Sequence, residues 1–137
     1  MVSFMAGLKG EGKTRKLIDT ANAEAKVTEG HLVFIDDDKR HIFDLHRDVR
    51  FVEAGKRQLS NYREFVGFVM GILSQNSDIR HIYVDGLSNI VEHVDNEALL
   101  KLKARLETIS KVDMVDFTIS VNYDRDSLPD EIKSVLV

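Results

Sequence analysis

Positions 7–14 read G-L-K-G-E-G-K-T, set between an apolar run, Val2 to Ala6, and a helical pattern over Lys13 to Ala25. Glycine takes positive φ without steric cost, so a stretch holding Gly7, Gly10 and Gly12 is where a chain turns sharply. Strand, glycine loop and helix in immediate succession commit the chain to an α/β unit, its helix starting at the strand's carboxyl end. The first N–H groups of such a helix have no intrahelical acceptor and point into the turn. Leu17, Ile18, Ala21 and Ala25 recur at helical spacing and give the helix an apolar side to lay on a sheet.

The same alternation continues along the chain. After Gly30, His31 to Asp36 (HLVFID) reads as a fully buried strand, and Val49 to Ala54 as a weaker one. Ser60 is the expected N-cap of a helix from Asn61 to about Ser74, with Tyr62, Phe65, Val66, Val69, Ile72 and Leu73 along one face. His81 to Asp85 is a further strand. Asp95 caps a helix carrying Leu99, Leu102, Leu106 and Ile109, and Asp116 to Asn122 is the last strand. Ser127, with Pro129 in the first turn and acids at 130 and 131, is expected to start a short terminal helix. The order β-α-β-β-α-β-α-β-α predicts a three-layer, doubly wound, mainly parallel α/β sheet, with ligands at the carboxyl ends of its strands. One domain over residues 1–137 is expected, since the chain has a single proline and no linker-like tract.

Composition narrows the partners. A net charge of −4 gives no general basic surface, so nucleic acid is not an expected partner. The absence of cysteine excludes disulfides and thiolate metal sites and fits a reducing compartment. No apolar run approaches the roughly 20 residues that span a bilayer, and the N-terminus lacks a signal-peptide pattern. A cytoplasmic protein without a membrane partner is expected.

Gly7, Gly12, Lys13 and Thr14 match G-x-x-x-x-G-K-[ST] in full. Glycines let successive N–H groups face an anion-sized concavity, and the positive end of the helix dipole faces the same point. Lys13 is placed to reach β and γ phosphates, and the Thr14 hydroxyl to join the shell of a Mg²⁺ ion. Leu8, Lys9, Gly10, Glu11 and Arg15 complete the expected binding stretch. Two strand ends add acids. Asp85 closes HIYVD and is the candidate second metal ligand, while Asp36, Asp37 and Asp38 close HLVFI. A carboxylate there can orient an attacking water.

These features resemble the P-loop NTPase superfamily, and within it the RecA and KaiC-like ATPase branch. HIYVDGLSNIV is similar to that branch's metal-binding strand, and LVFIDDDKRHI to its segment after the first helix. The resemblance implies a RecA-like fold binding ATP and Mg²⁺. It places Asp38 where the branch carries its catalytic glutamate, and Asn122, at the end of TISVN, where the branch senses the γ-phosphate. An aspartate reaches less far than a glutamate, so slow hydrolysis is implied.

Other branches match less well. A Ras-like GTPase needs N-K-x-D, but Asn122 to Arg125 reads N-Y-D-R. This favours ATP over GTP. MinD-like and ParA-like ATPases place a lysine where this chain has Leu8. A small-molecule or nucleotide kinase would need its lid in residues 36–50. Slow hydrolysis, nucleotide-dependent assembly with little turnover, and kinase activity all stay open. No arginine is identifiable for the site in cis, which leaves that role to a protein partner or a second copy of the chain. His41 and His46 have no zinc-type spacing and, with Lys39, Arg40, Arg47 and Arg50, read as a mixed charged surface.

Overall fold

Apolar runs with no polar alternate position form strands only where both faces are covered. The structure, a computed structural model, describes residues 1–137. Its strands are β1 (Val2–Ala6), β2 (His31–Asp36), β3 (Val49–Glu53), β4 (Ile79–Val84) and β5 (Asp116–Val121). They form one sheet in the order β1-β5-β4-β2-β3, with every neighbouring pair parallel. The sheet is thus wholly parallel, where mainly parallel was expected. Parallel neighbours need crossovers, and helices supply them except between β2 and β3, whose connection holds only a 3₁₀ turn at Ile42–Asp44. On one face α1 (Lys13–Ala25) lays Leu17, Ile18 and Ala21 over Met5, Leu32, Phe34 and Tyr83. On the other, α2 (Tyr62–Ser74) and α4 (Asn96–Asp113) cover Phe4, Val33, Ile35, Ile82, Val84 and Phe117. Leu32 and Phe34 face one layer while Val33 and Ile35 face the other, the period of two that a strand imposes. Three layers result.

Two short helices complete the fold, α3 (Leu87–Ile90) and α5 (Asp130–Lys133). The former was not expected. Beyond α5, Leu136 bridges Phe4 in parallel along the outer edge of β1. No helix is long and apolar enough to cross a membrane.

β3, β4 and β5 each stop one residue short of expectation, at Glu53, Val84 and Val121, and three further boundaries differ for a local reason. β4 begins at Ile79, because that side chain is buried and aligns with His31 ahead of a register shift. The cap of α2 is Asn61, not Ser60: Asn61 Oδ1 accepts the Glu64 N–H at 3.1 Å, and Glu64 reaches back to the Ser60 N–H at 2.8 Å. The terminal helix starts after Pro129 rather than at Ser127. Proline pushes its preceding residue out of the helical region, and Leu128 is extended at φ −84°, ψ 151°. Asp95 caps α4 as expected, accepting the Ala98 N–H at 2.8 Å.

The α2 cap is open to test by urea denaturation. Asn61→Ala is expected to cost about 1 kcal/mol of stability, whereas Ser60→Ala stays within about 0.5 kcal/mol of the parent.

Candidate functional site

The strand order brings the candidate site together. The chain leaves β1, crosses to β2 and β3, then returns through β4 to β5, which inserts between β1 and β4. Because all strands run the same way, the β1–α1 loop, Asp36, Asp85 and Asn122 emerge at one edge of the sheet. There they line a cleft of about 420 Å³ together with Lys9, Gly10, Gly12, Lys13, Thr14 and Arg15. Ile18 is the only hydrophobic residue on its wall. Such a cleft suits a charged ligand rather than an apolar one.

The loop is built as its glycines require. Gly10 (φ 91°) and Gly12 (φ 84°) are left-handed, and Gly12 is the N-cap residue of α1 with no side chain over the helix end. Gly7, Leu8 and Glu11 form the loop's body rather than the cleft wall. Lys13 Nζ folds back across the loop and donates to the carbonyls of Gly7 (2.7 Å) and Leu8 (2.9 Å). Glu11 answers from the other side, its carboxylate accepting the Leu8 N–H at 2.7 Å. Burial pulls the Lys13 ammonium below its ordinary pKa, against the opposing pull of Glu11 and Asp85.

Asp85 ties three elements together. Its Oδ1 accepts from Thr14 Oγ1 at 3.2 Å, across 71 residues of sequence, and from Ser120 Oγ at 3.1 Å. Ser120 in turn accepts the Gly86 N–H at 2.7 Å. Gly86 sits in the left-handed region (φ 70°), where a side chain is strained, and a Cβ there would also have to displace the Asn89 amide. Burial raises the Asp85 pKa, and its two hydroxyl donors offset part of that rise. Thr14 and Asp85 offer only oxygen ligands, the set a Mg²⁺ ion takes.

The three acids after β2 part company. Asp36 and Asp37 are buried, and Asp36 lines the cleft. Asp38 sits at the rim outside the cleft lining, where Arg40 binds it through Nε at 3.0 Å. The Arg40 backbone N–H and guanidinium hold Asp38 below the usual carboxylate range. Asp36 moves the opposite way, to about 8, mainly through burial and then through the adjoining Asp37 carboxyl and Asp85.

Besides Ile18 and Gly86 on the cleft wall, four residues join the site that the sequence did not single out for it. Arg40 and His41 reach the cleft from the segment after β2, Asn89 lines it from α3, and Ser120 holds Asp85 from β5. Only Ser120 left a trace, as a polar residue within an apolar strand. The wall carries Lys9, Lys13, Arg15 and Arg40 against Asp36 and Asp85, four cations to two carboxylates. No protein-family model and no curated protein matches the chain, so the site is read from its own geometry.

A carboxyl whose folded pKa lies above its unfolded value stabilises the fold below the unfolded pKa, and the stability drains away as pH rises through the folded one. For Asp36 that window runs from about 4 to about 8. In EDTA-treated samples, urea unfolding of Asp36→Asn is expected to match the parent near pH 4 and to exceed it increasingly toward pH 8.

Proposed function

We propose that the chain binds a magnesium–nucleoside triphosphate in the cleft at the β1–α1 loop, ATP in preference to GTP, and hydrolyses it slowly. The observation that carries this is the Thr14–Asp85 hydrogen bond, which joins the two oxygen ligands of the expected metal beside the N-terminus of α1. The polar, net-cationic wall supports the same ligand class. The preference for ATP rests on the missing N-K-x-D sequence. The P-loop, RecA-like identity rests on the glycine loop and on strand ends that match that family's pattern.

Loop N–H groups and the start of α1 receive the phosphates. Lys13 Nζ exchanges its two carbonyl acceptors for phosphate oxygens, gaining charge-assisted hydrogen bonds. Thr14 and Asp85 hold Mg²⁺, which supplies positive charge to the phosphate oxygens when bound. Asn122 lines the cleft beside Asp85 and contacts the terminal phosphate. Of the three acids after β2, Asp36 is the one positioned to orient water, since it lines the cleft while Asp38 is engaged by Arg40. Arg40 supplies a cation from within the chain, so no partner is called on for that role. A short, enclosed carboxylate in place of a longer exposed one keeps turnover low.

Calorimetric titration with Mg·ATP and Mg·GTP tests the binding, and phosphate release tests the turnover. Wild-type protein is expected to bind ATP more tightly than GTP, with Lys13→Ala weaker by roughly tenfold to a hundredfold. Phosphate release is expected to vanish in Lys13→Ala and Asp85→Asn. Heat with neither nucleotide would overturn the proposal. Binding without any Lys13-dependent release would leave a nucleotide-dependent assembly module, and transfer to an acceptor other than water would make it a kinase.

A further inference from the structure

The pair Asp36–Asp37 presents an unsolved electrostatic problem that the nucleotide reading does not absorb. Each residue is only 3% exposed. Asp36 Oδ1 accepts the Asp37 N–H at 2.7 Å, but Asp36 Oδ2 and Asp37 Oδ1 are buried without a hydrogen-bond partner. Buried carboxylate oxygens left without donors are strongly disfavoured, so something must compensate them. Arg40 stands nearby, its Nη2 3.8 Å from Asp37 Oδ1, beyond hydrogen-bond reach, while its Nε is taken by Asp38. Asp36, Asp37 and Asp38 each offer an oxygen within 4.8 Å of the others. These oxygens form an oxygen-only cluster small enough for one cation to bridge.

We infer that Asp36 and Asp37, with Asp38 at the rim, form a binding site for a hard divalent cation, separate from the Thr14–Asp85 position and filled without nucleotide. Oxygen-only donors with no imidazole or thiolate select an ion of the Mg²⁺, Ca²⁺ or Mn²⁺ type. The two unpartnered oxygens become ligands, and Asp38 divides its oxygens between Arg40 and the ion. A carboxylate has about four lone-pair sites, so Asp36 keeps acceptor capacity toward the cleft. The site neutralises the acid cluster in the resting protein whether or not the cleft takes a nucleotide.

Mn²⁺ alone is the probe. EDTA-stripped, dialysed protein is titrated with MnCl₂ while free Mn²⁺ is followed by electron paramagnetic resonance. One ion is expected to bind per chain, in wild type and in Lys13→Ala and Asp85→Asn alike. Asp36→Asn and Asp37→Asn are each expected to weaken it by about tenfold or more. Mn²⁺ is also expected to raise the thermal unfolding midpoint of wild type, a readout that needs no variant to fold. Absence of both binding and midpoint shift would mean that a shared proton compensates the pair, and would overturn the site. Binding abolished by Asp85→Asn would assign the ion to the Thr14–Asp85 position and overturn it equally. Because Lys13→Ala disables phosphate binding alone, failure of the nucleotide reading leaves this result intact.

Discussion

All five strands run parallel, so each connection must carry the chain back to the same starting edge. Everything else in the molecule follows from that constraint. All the crossovers but the β2–β3 connection become helices, the helices divide between the two faces, and the strands are sealed in apolar contact above and below. The opposite edge, where strands stop, is left to irregular backbone and polar residues. Inserting β5 between β1 and β4 then sets the buried Ser120 beside the end of β4. That insertion lets one carboxylate oxygen of Asp85 accept hydroxyls from α1 and from β5 at once.

Charge at this edge is arranged in layers. Exposed cations line the mouth, whereas the carboxylates lie deeper, at the ends of β2 and β4. Burial raises the pKa of both Asp36 and Asp85, yet their surroundings differ. Asp85 has two hydroxyl donors. Asp36 has a single backbone N–H and another carboxyl as its neighbour. The same strand-end chemistry therefore yields one acid prepared for a ligand and one that lacks a counter-charge.

The layered α/β fold was legible because its signals are local: apolar runs of strand length, helical spacing in α1, α2 and α4, and glycine at the first turn. Cap positions were less so, since Ser60 and Asn61 are equally good caps by type and only the reach of Glu64 separates them. Asp95 has a rival of equal type in Asn96, and there the expected cap is the observed one. At the site, the loop and Asp85 could be placed from sequence because a strand end has only one edge to emerge at. Which of Asp36, Asp37 and Asp38 faces the cleft depends on the residue at which β2 stops, a tertiary matter. Arg40 and His41 looked like any mixed surface because their approach to α1 is set by how the β2–β3 connection folds over the sheet. The α3 turn was missed because four residues show no periodicity.

The β1–α1 loop closes on itself, with Lys13 bonded to two loop carbonyls and Glu11 to a loop N–H. A ligand entering there must compete with this internal pairing before it gains anything. A singly charged anion, such as a lone carboxylate, offers Lys13 little more than the carbonyls it would give up, and it meets Glu11 as a rival of like charge. A chain of phosphates can engage the lysine, the helix start and the outer cations together. The loop's self-pairing thus acts as a threshold on charge, met by a ligand's charge before its shape.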